Sequence, residues 1–124
     1  MKNQPVILVV DDQESNLLVL ESMLLPLGYH VEMAKNGLEA LKKVAENSPD
    51  LILLDILMPK VNGLEMLKTL REDEWGKHVP VIILSNVSDS VRVSEGMNNN
   101  VSRYIVKADM KLDDIVWSIK TLLK

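Results

Sequence analysis

Val6-Ile7-Leu8-Val9-Val10 is an unbroken, mostly β-branched apolar run that halts at Asp11-Asp12. Such a run suits a strand buried on both faces, the habit of parallel sheets covered by helices. Leu51-Ile52-Leu53-Leu54 repeats it, as does Val81-Ile82-Ile83-Leu84, with Pro80 at its start where a strand tolerates proline. Tyr104-Ile105-Val106 is a shorter run of the same kind. From His30 to Ala34, Val31 and Met33 alternate with polar neighbours, which predicts a strand with one more exposed face.

The segments between these runs have helical spacing. Leu17, Leu20, Met23, Leu24 and Leu27 recur at three- and four-residue steps and end near Gly28. Leu38, Leu41, Val44 and Ala45 do so after Asn36-Gly37, and Leu64, Leu67 and Leu70 after Asn62-Gly63. Leu112, Ile115, Val116, Ile119, Leu122 and Leu123 form the clearest stripe and close the chain. Between Asp89 and Met97 the apolar residues Val91, Val93 and Met97 fit no single stripe. Strands alternating with helices predict five β-α units, an open α/β sandwich with a parallel sheet and helices on both faces.

At 124 residues, with 47% apolar and 26% charged, the chain has the size and composition of one globular domain, spanning 1–124. No repeat, low-complexity tract or linker divides it. A net charge of −4 argues against a nucleic-acid surface built on bulk positive charge. With no cysteine, disulfides, thiolate metal sites and cysteine nucleophiles are excluded. His30 and His78 lack metal-ligand spacing. No apolar stretch is long enough to span a membrane, and the start does not read as a signal peptide, so the expected compartment is the cytoplasm. Aromatics are 3% with no phenylalanine, leaving aliphatic side chains and seven methionines to fill the core.

In open α/β sheets, ligands bind beyond the carboxyl ends of the strands. Asp11-Asp12 end the first strand, Asp55 the third, Ser85 the fourth, and Lys107 the last. A carboxylate after a strand is often a helix N-cap, and Asp12 taken alone reads that way. The coincidence of all four ends calls for another reason. Crowded carboxylates raise one another's pKa unless a cation joins them, and a hard divalent cation such as Mg²⁺ relieves the conflict. A lysine and a hydroxyl on the same rim can then meet the oxygens of a phosphoryl group, whose transfer needs positioning and charge neutralisation above all. A carboxylate among them could itself be the nucleophile.

With Val9-Val10-Asp11-Asp12, Leu54-Asp55, Met58-Pro59, Gly63, Ile83-Leu84-Ser85 and Tyr104-Ile105-Val106-Lys107 at these spacings, residues 5–124 resemble the receiver domain of two-component response regulators, chemotaxis-regulator-like and single-domain. The resemblance implies a doubly wound, flavodoxin-like three-layer sandwich: a five-stranded parallel sheet in the order 2-1-3-4-5 with five helices. It also implies that Asp55 accepts a phosphoryl group from a phosphohistidine on a sensor histidine kinase or phosphotransfer protein. Asp12, Asp55 and the backbone carbonyl of Leu57 would hold Mg²⁺ directly, and Asp11 through a water. Lys107 would pair with the phosphoryl oxygens, Ser85 would move to hydrogen-bond them, and Tyr104 would rotate inward after it. Plain packing for Tyr104 and a capping role for Ser85 are the bland alternatives. Such a domain catalyses only its own phosphoryl transfer and dephosphorylation. It acts on a downstream protein through its fourth helix, fifth strand and fifth helix, as a monomer or a phosphorylation-dependent dimer, and binds neither nucleic acid nor membrane itself. Trp117, nearly opposite the apolar stripe of Ile119 and Leu112, is the contact candidate on that surface, unless it lies over the stems of Lys120 and Lys124.

Several positions depart from the family's pattern. Asn86 stands where alanine or glycine is usual and could narrow access to the acceptor. Ala108 stands in place of a proline whose peptide bond is often cis. A cis bond before a non-proline costs roughly 3 kcal/mol, which leaves the Lys107-Ala108 isomer open. Asn100 replaces a glycine, and asparagine tolerates the left-handed backbone of such a turn. Leu57 and Val87 flank the acceptor, and neither can orient an attacking water, so slow self-dephosphorylation is expected. The chain stops after its last helix, as a stand-alone receiver or a piece of a longer protein would.

Three rival readings compete. A phosphatase with an aspartyl-phosphate intermediate needs an acid two residues after its nucleophile on the first strand; Asp12 followed by Glu14 is a poor match, and no cap domain is present. A degenerate receiver working without phosphorylation would not need the acceptor set that is here. A flavodoxin-like cofactor binder needs a phosphate loop where two aspartates stand.

Overall fold

The apolar runs become strands. The computed structural model describes residues 4–55, 63–72, 76, 79–85, 103–106 and 112–123, and the backbone alone for 55, 63–67, 85, 103–106 and 112. In chain order the elements are β1 (Val6–Val10), α1 (Glu14–Leu24), a 3-10 turn (Leu25–Leu27), β2 (His30–Ala34), α2 (Gly37–Glu46), β3 (Leu51–Asp55), α3 (Gly63–Glu72), β4 (Val81–Ser85), β5 (Arg103–Val106) and a C-terminal helix (Leu112–Leu122). The strands form one parallel sheet in the order β2-β1-β3-β4-β5. That is the expected doubly wound order. The expected helix between Asp89 and Met97 lies outside the described residues, as do Leu57, Met58-Pro59, Asn86, Val87, Asn100, Lys107, Ala108 and Lys124.

The runs are continuous because both faces of the sheet are covered. From Ile7 to Val10, Leu51 to Leu54 and Val81 to Leu84 no residue is more than 2% exposed. Leu8, Val10, Ile52, Leu54 and Ile83 share one core with Ala40 and Val44 of α2 and Leu70 of α3. Ile7, Val9, Leu53 and Ile82 share the other with Leu17, Leu20 and Leu24 of α1 and Ile115 and Ile119 of the C-terminal helix. Right-handed crossovers place helices this way when the strand order reverses at the first strand. Strand β2 is one edge of the sheet and is less covered than the inner strands: His30 is exposed and Val31, Glu32 and Met33 are half-buried.

Three details correct the periodicity. The stripe of α2 does not run through Leu38 and Ala45. Leu38 is 56% exposed, and the buried positions are Gly37, Ala40 and Val44 with Leu41 at the margin. Small residues bring α2 close to the sheet, so the larger Leu38 is displaced outward. Helix α1 ends at Leu24, because Pro26 lacks the N–H that would continue it; Leu25–Leu27 form a 3-10 turn and Leu27 is exposed. Gly28 then closes the turn at φ 93°, a conformation that glycine alone adopts without strain. Finally, the described core is built of Ile, Leu, Val and Ala, with Met23 and Met33 only at its edge.

Polar contacts set the register of the inner strands. The Asp50 carboxylate accepts the Val6 N–H at 2.7 Å, and the Asp50 N–H donates to the Val6 carbonyl at 2.7 Å, pinning the start of β3 to the start of β1. A one-residue slip would invert every inward-facing side chain, so this double bond also decides what arrives at the far ends of both strands. The Arg71 guanidinium donates to the carbonyls of Gly76 at 2.7 Å and Val79 at 2.8 Å, tying the end of α3 to the approach of β4. Burial pulls its pKa below the ordinary arginine value. The approach is tight: a Cβ on Gly76 would collide with the Leu70 carbonyl oxygen.

Candidate functional site

The register determines which residues meet at the carboxyl ends of the strands. Val10 pairs with Ala34 on one side and Leu54 on the other, Leu54 with Ile83, and Ile83 with Tyr104. The Asp11 N–H donates to the Ala34 carbonyl at 3.1 Å, carrying the ladder one residue past β1. Asp11 therefore stands level with Asp55, the last residue of β3, on neighbouring strands about 4.8 Å apart. Asp55 pairs with Leu84, and Ser85, the last residue of β4, pairs with Val106. Asp11, Asp12, Asp55 and Ser85 thus come to one rim, and Tyr104 lies two rows below Ser85 in register. Leu57 and Lys107 lie outside the described residues.

The two adjacent aspartates have different surroundings. Asp11 is 1% exposed. Its Oδ1 accepts the Gln13 N–H at 2.9 Å and its Oδ2 accepts the Asn16 side-chain amide at 3.2 Å. The first bond is an Asx turn, which swings the chain from strand into helix. Asp12 is exposed, and it is not the N-cap: Gln13 holds that position and makes no side-chain cap bond. The capping role suggested for Asp12 is unfilled: the N-cap Gln13 makes no side-chain cap bond, Asp11 holds the Gln13 N–H ahead of the helix, and the Asp12 carboxylate has no hydrogen-bond partner among the described residues. Periodicity did not point to Asn16, which is one of three polar residues, Glu14, Ser15 and Asn16, in the first turn of α1.

The donor chemistry of this rim fits a hard cation. Two adjacent carboxylates end β1 and a third acidic residue ends the next strand in the same row, all oxygen donors with neither sulfur nor imidazole. Asp11 and Asp12 are too few by themselves: among the described residues no group of three acidic or imidazole side chains could hold a metal. A complete set needs Asp55. His30 stands at the opposite end of the sheet, at the start of β2.

On the C-terminal helix, Ile115, Ser118 and Ile119 are buried while Trp117 is 58% exposed, as its place opposite the stripe predicts. The Ser118 hydroxyl donates to the Asp114 carbonyl at 2.8 Å, a bond within the helix that lets a polar residue sit inside. No helix among the described residues is long and apolar enough to cross a membrane.

Comparison with known proteins agrees with this architecture. Residues 7–120 match the response regulator receiver domain family. The polar-differentiation response regulator DivK of Brucella anthropi is 38% identical over 93 residues, 73% of this chain and 76% of that protein. The response regulator PleD of Caulobacter vibrioides is 34% identical over 110 residues, 89% of this chain but only 24% of PleD. Among solved structures, the chemotaxis protein CheY4 of Vibrio cholerae superposes with a TM-score of 0.90 at 28% identity, covering 97% of this chain and 99% of that one. Receiver domains as a family bind Mg²⁺ and serve as signalling switches rather than as enzymes acting on other molecules. The chain belongs to the response regulator receiver domain family, the phosphorylation-activated switches of two-component signalling.

Proposed function

We propose that residues 1–124 act as one receiver domain whose phosphoacceptor is Asp55. A carboxylate oxygen of Asp55 attacks the phosphorus of a phosphohistidine on a sensor histidine kinase or phosphotransfer protein. The new O–P bond forms as the N–P bond breaks, and the imidazole leaves with a proton. Asp12, Asp55 and the Leu57 carbonyl hold Mg²⁺, with Asp11 beside them; the cation's contribution is to neutralise charge on the phosphoryl oxygens. Lys107 pairs with those oxygens, Ser85 hydrogen-bonds them, and Tyr104 follows. The observation that supports this most is the register: Asp11 and Asp55 are level across β1 and β3, and Ser85 ends the next strand one row on.

The test uses phosphoramidate, a small donor with the N–P bond of phosphohistidine. With Mg²⁺, the chain is expected to gain a phosphorus resonance in ³¹P NMR that hydroxylamine abolishes, the behaviour of an acyl phosphate. A resonance resistant to hydroxylamine would assign the phosphoryl group to a hydroxyl and remove Asp55 from its role.

The output of the switch is a change in the surface of the expected fourth helix, β5 and the C-terminal helix, read by a downstream protein as a monomer or a phosphorylation-dependent dimer in the cytoplasm. Trp117 is the anchor on that surface, since a half-exposed tryptophan offers a large apolar area at low entropic cost. Trp117→Ala is expected to weaken self-association or target binding by about 2 kcal/mol while leaving phosphorylation intact. Unchanged affinities in sedimentation and pull-down titrations would dismiss Trp117 from the interface.

A further inference from the structure

We infer that Asn16 is a positioning residue for the cation site, holding the Asp11 carboxylate in the orientation from which it serves Mg²⁺; this rests on Asp11 and Asp12 being part of that site. The Asn16 side-chain amide donates to Asp11 Oδ2 at 3.2 Å and lies 3.4 Å from the Gln13 side-chain oxygen. Its orientation is dictated by chemistry: an ionised carboxylate only accepts, so the NH₂ end must face Asp11. The Gln13 N–H holds the other oxygen at 2.9 Å. A donor on each of its two oxygens sets the plane of the Asp11 carboxylate.

The two donors are not equivalent in origin. The Gln13 N–H comes from the backbone and survives any substitution, so it belongs to the turn. The Asn16 amide is a side-chain choice, made in the first turn of α1 where alanine or leucine would favour the helix more. Asn16 is half-buried and its contacts run to Asp11 and Gln13, back toward the rim rather than into the core beneath α1. Groups that orient the carboxylates of a metal site typically change metal affinity by 10–100-fold when removed.

The experiment is a Mg²⁺ titration of the full chain followed through backbone amide shifts in ¹H–¹⁵N NMR, with no phosphodonor present. Asn16→Ala and the near-isosteric Asn16→Leu are both expected to weaken Mg²⁺ binding about 10-fold. Thermal melting without Mg²⁺ should be nearly unchanged, because both replacements favour helix. In an Asp11→Asn background, adding Asn16→Ala should change the affinity by less than about twofold, since a residue acting through Asp11 has nothing left to hold. Wild-type affinity in both Asn16 variants would overturn the inference and leave the cation site standing. So would full multiplication of the two effects in the double variant, or a collapse of both Asn16 variants without Mg²⁺. If the wild type itself bound no Mg²⁺, the cation site would fall and Asn16 with it.

Discussion

Asp55→Asn is expected to abolish phosphoryl incorporation while leaving the chain folded. The change exchanges one oxygen for an NH₂ of nearly the same volume, so β3 and its pairing with Leu84 have no reason to shift. What disappears is the ionised oxygen that attacks phosphorus, and an amide cannot take its place as an acyl-phosphate partner. Asp12→Asn is a useful contrast. It leaves that nucleophile and removes a charge from the cation site, so incorporation should slow by about 10–100-fold without vanishing. Asp55→Asn also takes one negative charge from a rim that carries Asp11 and Asp12. In the absence of Mg²⁺ its melting temperature should therefore equal or exceed that of the wild type. Incorporation by Asp55→Asn at the wild-type rate would move the acceptor to another residue.

Leu53→Ala is expected to lower the unfolding free energy by about 3–5 kcal/mol. Leu53 is in a central strand, fully buried against the core shared by α1 and the C-terminal helix. The neighbours that would have to close the cavity are strands paired on both sides, and they can give little. Against a typical domain stability of about 5–15 kcal/mol, that is a large share. Urea unfolding would read it as a lower midpoint at constant slope. Leu38→Ala is the matched control: the same chemical change on the exposed side of α2 should cost about 0.5 kcal/mol or less. Equal costs at the two positions would contradict the assignment of the α2 faces.

Strands β1, β3 and β4 were legible because they are buried on both sides, so each reads as a continuous run. Strand β2, at one edge, was legible for another reason: it is half-exposed and its letters alternate apolar with polar. The face of α2 was not legible from the sizes of its apolar residues. Close packing on the sheet is made by Gly37 and Ala40, which carry almost no hydrophobic signal, and the conspicuous Leu38 is left outside. At the rim, the residue types announced a carboxylate cluster, but two adjacent aspartates cannot be told apart in a string of letters. The backbone turn decides between them: the chain leaves the sheet at Asp11, whose side chain reaches forward to the Gln13 N–H, and Asp12 is carried outward. The bonds of Asp50 to Val6 and of Asn16 to Asp11 join residues whose proximity exists only after folding, at 44 and 5 positions apart. No local pattern encodes them.

Intact-mass spectrometry after incubation with acetyl phosphate, with and without Mg²⁺, tests the phospho-switch most directly. The wild type is expected to gain the mass of one phosphoryl group in the presence of Mg²⁺, to gain none when the cation is chelated, and to lose the gain on Asp55→Asn. No gain with Mg²⁺, or a gain that persists in Asp55→Asn or without the cation, would contradict phosphorylation of Asp55 at a carboxylate-bound Mg²⁺ site.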